Sequence, residues 1–559
     1  MSMRRNTVLL LSLLLCVGGV QAARSPKQAA IASAHPLATQ AGFEILAAGG
    51  NAFDAAVAVA STLAVVEPYA SGLGGGGFFL LHRAKDNYDV MIDAREIAPR
   101  AATRDMYLDS AGAAVESRSR EGALAAGIPG LPAALEVLAE DYGRKSLQDS
   151  MAASIRYAKE GFVVDERYRK MVGWRLDLLK RNPAAAAIFL QKGKVPEADY
   201  RLMQKDLAGT LERIADKGAS GFYRGGLAER MVTEVNKSGG IWNRKDLAGY
   251  KIKQREPVKA TYHDMQITSA SLPSSGGIVL VDSLNILSNF NLSRLGDADR
   301  IHLVVEALRR AYRDRAEYLG DSDFVYVPVK RLLHPFYAAG QAAGIRLDKA
   351  TPSNTFAGAP DAAAGSDTTH FSIIDSEGNR VAATLSINFP FGSGIVIPDT
   401  GIVLNNEMDD FSAKAGAANG YGLVAGRDNP NAVFPGKRML SSMTPTFLET
   451  DDRVAILGTP GGSRIISMVL LGTLEFLDGA DAQDIVAAPR YHHQFLPDQI
   501  LYEPDAFDQD TKLELQLRGH HLTESTRRYG NMQVVIWDKK KNKLSAASDP
   551  RGEGLAEVK

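Results

Sequence analysis

Gly365-Ser366-Asp367-Thr368-Thr369-His370-Phe371-Ser372-Ile373-Ile374-Asp375 is the stretch on which the reading of this chain turns. Small residues lead into two adjacent threonines, and an apolar, β-branched run follows at once, the pattern of a strand. A threonine hydroxyl inside a chain is a poor nucleophile. At a chain start it carries its own base, the free α-amine. That amine titrates at roughly 7.7–8.0, so much of it is neutral near physiological pH and can take the hydroxyl proton. The stretch therefore predicts a cut between Asp367 and Thr368 that makes Thr368 a new N-terminus. Taken alone, Asp-Thr-Thr-His also reads as an ordinary loop entering an ordinary strand, so the surroundings must decide.

The strand has a partner close by. Arg380–Ile387 is apolar and β-rich, and Ser376-Glu377-Gly378-Asn379 between the two runs signals a hairpin. A turn centred between Glu377 and Gly378 sets Thr368 opposite Ile387, with Ser386 and Asn388 beside it, to within a residue or two. Upstream, Ala350 to Gly365 is rich in Ala, Pro, Ser and Gly and reads as an exposed segment suited to cleavage.

Elsewhere the chain supplies a buried frame. Residues 37–65 predict two helices around a Gly-Gly-Asn break, the second (Ala52 to Val65) small and apolar on every side. Ser71 to Gly77 is glycine-dense and precedes the strand-like Phe78–His82. No Lys-Ser or Lys-Thr follows and no helix comes next, so a phosphate loop is rejected. Tyr88–Asp93 predicts a strand with Arg95 just past its end, where a planar guanidinium suits a carboxylate. An arginine beside acids is otherwise a common surface ion pair. Residues 130–235 read as helical with solvated charges. Ile301 to Tyr318 reads as an amphipathic helix with Val304, Val305, Leu308 and Tyr312 on one side. Gly458 to Arg464 leads from a strand (Val454 to Leu457) into an apolar helix (Ile465 to Phe476). Glycines 461 and 462 can leave N–H groups for an oxyanion there, or simply make a tight turn.

Composition bounds the function. The chain has 559 residues, 45% hydrophobic and 23% charged, with net charge −1, which gives no electrostatic case for nucleic acid or an anionic membrane surface. Arg4-Arg5, the short apolar run Val8–Val17 and Val20-Gln21-Ala22 predict a signal peptide over 1–22. The mature chain would then be periplasmic or secreted, and a retained anchor is the lesser alternative. Cys16, the single cysteine, falls inside that segment, and Leu13-Leu14-Leu15 lacks the small residue that lipidation expects. Thiol chemistry and cysteine-bound metals are thereby excluded from the mature chain. His492-His493 and His520-His521 have no acidic partner at ligand spacing and read as structural or surface residues, so neither a metal nor a cofactor is expected.

Six blocks in order then carry a resemblance. Gly-Gly-Asn-Ala-Phe-Asp-Ala-Ala (49–56), Glu67-Pro68 through Gly77, Asp-Thr-Thr-His (367–370), Asn-Asn-Glu-Met-Asp-Asp-Phe (405–411), Ser-Ser-Met (441–443) and Pro-Gly-Gly-Ser-Arg (460–464) resemble the γ-glutamyltranspeptidases. These are autoprocessing N-terminal-nucleophile hydrolases. The resemblance spans about Ala30 to Pro550. It implies a four-layer αββα sandwich, with a large subunit over 23–367 and a small one over 368–559 cut from one precursor. It implies Thr368 as nucleophile, the N–H groups of Gly461 and Gly462 as oxyanion hole, and Arg95 with Ser441 and Ser442 on the γ-glutamyl α-carboxylate. Glu407, Asp410 and Asn388 are implied at the α-ammonium, and Tyr421 as a lid over the pocket. Ser386 stands where a threonine is expected. Glutathione and other γ-glutamyl compounds are the implied donors, and water, amino acids or dipeptides the acceptors. The alternatives are a related acylase, such as a cephalosporin (glutaryl) acylase, and a non-catalytic periplasmic binding protein.

Overall fold

The computed structural model of the protein describes residues 25–353 and 368–559. The expected signal segment 1–22, Cys16, Asp367 and most of the proposed scissile run lie outside these residues.

Two antiparallel sheets stack face to face, with helices on both outer sides: the αββα sandwich expected from the sequence. The seven strands of the first sheet run in the order 555–558, 30–33, 369–374, 380–386, 76–83, 88–93 and 253–255. The six of the second run 543–548, 533–538, 453–458, 446–449, 265–269 and 258–262. Strand Gly76–Arg83 shows why its sequence lacks a polar face. Phe79 and Leu81 point into the core under the outer helices, while Phe78 and Leu80 point into the core between the sheets. A strand buried on both faces reads as one continuous apolar run.

The outer layer of the first sheet is led by helix Ala52–Val66, all 15 residues of which are buried. Asn51 caps it by accepting the N–H groups of Phe53 and Asp54, and Asp54 accepts the Asn51 N–H in return, a full capping box. Each Val or Leu sealed there contributes about 1.5–3 kcal/mol. The glycine cluster at 72–77 serves close packing. A Cβ on Gly74 would lie 1.9 Å from the Val403 carbonyl oxygen.

Hairpin 369–386 corrects the expected register by one residue. Thr369 pairs with Leu385 and His370 with Thr384, so Thr368 lies across from Ser386 rather than Ile387. The cause is a three-residue turn. Asp375 Oδ1 accepts the N–H groups of Glu377 and Asn379, and Gly378 takes a left-handed φ of 92°.

Helix Asp297–Tyr318 also departs from expectation. Val304, Val305, Leu308 and Tyr312 are buried as predicted, but so are Glu306, Arg309, Arg310, Asp314 and Arg315 on its other sides. The charged groups pair within the protein: Glu306 accepts from Arg310 (2.7 Å) and from the Thr351 hydroxyl (2.6 Å). The segment expected to be exposed from Ala350 onward is instead pinned at its start. Ala350 N–H donates to the Arg518 carbonyl (2.7 Å), Ser353 N–H to Asp498 (2.7 Å), and Arg309 to the Ser353 hydroxyl (2.6 Å). A run of small residues gave no sign of these partners, which come from segments distant in sequence.

Candidate active site

Thr368 enters its strand buried, at 4% exposure, with Oγ1 3.4 Å from the Ser386 hydroxyl. The next residue anchors the strand: Thr369 Oγ1 donates to Glu67 (2.7 Å), which also accepts from Tyr69 (3.0 Å). Burial raises the Glu67 carboxyl above its usual range, against the opposing pull of Arg167. Ser386 Oγ accepts the Asn388 N–H at 2.7 Å and so fixes Asn388 in a left-handed conformation, φ 76°. Asn388 donates its amide to the Asn406 carbonyl (2.9 Å) and accepts from the Tyr421 hydroxyl. Tyr421 stacks on Phe389 with centroids 5.3 Å apart.

Thr368, Ser386, Asn388, Glu407, Asp410, Tyr421, Ser441, Ser442 and Gly462 all line one cavity. Six stretches of the chain that the resemblance singles out thus converge on a single place. The cavity has a free volume of about 20 Å³, space for one water molecule, so an amino-acid head enters only when a wall moves. Tyr421 forms one side, its hydroxyl on Asn388, its N–H on Asn419 (3.0 Å) and its carbonyl on the Gln494 amide (3.2 Å).

Two expected residues sit differently. Arg95 is buried at 0% exposure and lines none of the cavity; it lies behind the acids. It donates to Glu407 (2.7 Å) and to Asp410, and its Nη1 is 3.6 Å from Glu96. Arginine and acids, expected to grip opposite ends of a substrate, are here bound to one another. Burial disfavours the guanidinium charge, yet Glu407, Asp410 and Glu96 outweigh it and hold its pKa above the ordinary value. Burial pushes the Asp410 carboxyl up to about 7, opposed by Arg95 and reinforced by Glu407. Glu407 moves up by the same burial, and its Oε1 has no hydrogen-bond partner among the described residues.

Gly461 is the second. Gly462 lines the cavity, whereas Gly461 borders a neighbouring groove with Pro460, Arg527, Arg528 and Tyr529. Both glycines have positive φ, 150° and 59°. A side chain at 461 would strike Met468, its Cβ 2.5 Å from the methyl carbon. Neither N–H has an acceptor among the described residues, which leaves two donors at the mouth of helix Ile465–Leu477.

Sequence reasoning missed several supports. Asn405 ties the glycine block to the Glu407 turn, donating to the Gly74 (2.7 Å) and Gly127 (2.8 Å) carbonyls and accepting the Glu407 N–H (3.0 Å). It lies in the quoted Asn-Asn-Glu-Met block, so the signal was present without a role attached. Glu96 is buried with neither oxygen hydrogen-bonded among the described residues, only the 3.6 Å approach of Arg95, and burial raises it well above the carboxylate range. Ser275 accepts nothing that its sequence context announces, yet it donates to the Ser441 carbonyl (2.6 Å) and holds the Ser-Ser block in place.

The histidine pairs are not surface residues as a group: His492, His493 and His520 are buried, and only His521 is exposed. His520 meets His302 and Glu306, three ligand-type groups within 4.8 Å, with Glu306 coming from a helix that sequence spacing could not connect. Their atoms are committed to each other: the imidazoles share a hydrogen bond of 2.7 Å, His302 donates to the Arg346 carbonyl (2.8 Å), and Glu306 is held by arginines.

A threonine at a buried strand start between stacked sheets, facing acids and free glycine N–H groups, defines the class: an αββα protein of the N-terminal-nucleophile hydrolase type. Within that class the chain belongs to the gamma-glutamyltranspeptidase family, whose pattern matches residues 38–558. It is 41% identical over 531 residues to the glutathione hydrolase proenzyme of Escherichia coli K12, covering 94% of this chain and 90% of that one. Among solved structures it resembles the cephalosporin acylase of Bacillus halodurans (TM-score 0.84, 27% identity, 100% of this chain and 97% of that one). It also resembles the Helicobacter pylori gamma-glutamyltranspeptidase (TM-score 0.57, 41% identity, 58% of this chain and 93% of that one).

Proposed function

We propose that this chain is an autoprocessing γ-glutamyltransferase and glutathione hydrolase in which Thr368 is the nucleophile. The observation that carries the reading is the meeting of Thr368 with Glu407, Asp410, Ser441, Ser442 and Gly462 around one cavity. In maturation the Thr368 hydroxyl attacks the Asp367 carbonyl. The amide C–N bond breaks and the Thr368 amine leaves; water then opens the ester, giving a 367 carboxylate and a free 368 amine. In catalysis that amine takes the hydroxyl proton as oxygen attacks the γ-carbonyl of the donor. The N–H groups of Gly461 and Gly462 hold the oxyanion. The proton passes to the leaving amine as its C–N bond breaks, and a γ-glutamyl ester remains. Water or the amine of an amino acid or dipeptide attacks that ester and restores the threonine.

The head-group chemistry favours a γ-glutamyl donor over a glutaryl one. Two buried acids facing the cavity suit an ammonium, which a glutaryl group lacks. Tyr421 must swing out for the donor to enter, and Arg95 must exchange part of its hold on the acids for the α-carboxylate. An exported location accords with the expected signal segment, and no helix among the described residues is long and apolar enough to cross a membrane. The test is parallel turnover of γ-glutamyl-p-nitroanilide and glutaryl-p-nitroanilide, with a denaturing gel of the same sample. A two-piece protein that prefers the first substrate is expected. Preference for the second would make it an acylase, and an uncut chain without turnover would make it a binding protein.

A further inference from the structure

Arg315 is a second arginine beside the cavity, and its surroundings are the reverse of those of Arg95. It is buried at 5% exposure near the end of helix Asp297–Tyr318. Among the described residues no carboxylate comes within ion-pair distance of it, and it donates only to neutral hydroxyls: Nε to Ser275 Oγ (2.9 Å) and Nη2 to Ser442 Oγ (3.3 Å). A buried cation without an anion is costly, because desolvation is not repaid by a partner. Burial accordingly pulls this guanidinium down to about 10, so it stays protonated at neutral pH. The helix C-terminus offsets part of that cost, as a partial negative charge.

The charges around the cavity then sum in a telling way. Arg95 is neutralised by its two acids and leaves one negative charge over. Burial raises the neighbouring Glu96 carboxyl well above its ordinary range. Arg315 leaves one positive charge over, on the Ser442 side. A free amino-acid head brings one of each sign. Ser442 transmits the positive one. Its oxygen accepts from Arg315, so its hydroxyl hydrogen is free to point into the cavity that Ser442 lines.

We propose that Arg315 is a positioning residue for the donor's α-carboxylate, acting through Ser442 as a second positive charge beside Arg95, which is shared between two acids. Ser275 completes the device: the same hydroxyl that takes the Arg315 Nε–H fastens the Ser441 carbonyl, so the guanidinium sets the position of the whole Ser-Ser block. This inference rests on the γ-glutamyl reading of the site.

The test compares two anilides, γ-glutamyl-p-nitroanilide and its α-carboxamide analogue, in the full-length protein and in Arg315→Met and Arg315→Lys, each first checked for cleavage on a denaturing gel. The unaltered enzyme should favour the carboxylate substrate in kcat/KM. In Arg315→Met that preference should fall about tenfold or more, through KM, while Arg315→Lys keeps most of it. A merely structural arginine would weaken both substrates alike, and an unchanged ratio overturns the proposal. So does failure of both variants to mature, which would make Arg315 a builder of the site instead of a reader of its ligand. An unaltered protein that turns over neither anilide sinks the reading of the reaction itself; an active one with an unchanged ratio sinks the Arg315 assignment alone.

Discussion

The two walls of the Thr368 cavity are built in opposite ways. The nucleophile wall is local: Thr368, Ser386 and Asn388 belong to one hairpin and its continuation, and their positions follow from a single turn. The head-group wall is assembled from distant segments. Glu407 and Asp410 come from a short helical turn, Ser441 and Ser442 from a loop stitched to Ser275, and behind them Arg95 comes from a strand end and Arg315 from a long helix. The difference teaches where each function can fail. Damage to the first wall should strike bond-making, in maturation and turnover together. Damage to the second should strike affinity and leave maturation intact.

The strongest attempt to break that division is Thr368→Ala. Loss of the nucleophile should leave one uncut chain whose turnover of γ-glutamyl-p-nitroanilide is lower by at least about 10³-fold. Mass spectrometry of the termini checks the cut. A variant that still splits at the same bond would remove Thr368 from maturation. On the other wall, Arg95→Ala should mature normally and raise KM by about 100-fold, since a buried charge loses its hydrogen-bonded partner. Arg95→Lys should lose less, because it keeps the charge without the planar fork. An unchanged KM, or an uncut Arg95→Ala chain, would show that the walls do not divide the work.

A pH titration sharpens the comparison, because the walls hold different titrating groups. The Asp410 carboxyl lies at about 7. A group with a raised pKa is protonated first as pH falls, and a protonated Asp410 has no charge to offer an ammonium. kcat/KM should therefore decline as pH drops below about 7, mainly through KM. Asp410→Asn should be weak at every pH and lack that acid limb. If the limb survives in Asp410→Asn, it belongs to the threonine amine instead.

What the sequence disclosed follows the same line. The hairpin, the all-buried helix 52–66 and the apolar strand 76–83 were legible because each is decided by neighbours in sequence: a turn, a cap, a period. The one-residue register error arose within that local frame, from the Asp375 cap on a three-residue turn. The buried charges of helix 297–318 were not legible. Arg309, Arg310 and Arg315 look like a solvated face; besides Glu306 on the same helix, partners far along the chain (Asp498, Thr351, Ser442) make them interior. The site residues carried by family blocks converged on one cavity, yet the contact of Arg95 with both acids, and the place of Gly461 outside the cavity lining, needed coordinates.

The smallest expected effect tests the nucleophile wall at its least altered point. Ser386 Oγ does two things at once: it lies 3.4 Å from the Thr368 hydroxyl and takes the Asn388 N–H at 2.7 Å. Ser386→Ala removes both and strands a buried N–H, a loss of about 1–3 kcal/mol that should appear as slower maturation and a kcat lower by about tenfold. Ser386→Thr keeps the oxygen and adds one methyl at a β-strand end, where a branched residue is favoured; kcat/KM should shift by less than about threefold. If Ala matches the unaltered enzyme while Thr does not, the hydroxyl is idle and the position is read by size alone. The first wall would then depend on packing as the second depends on charge, and the contrast between them would lie in geometry, not in chemistry.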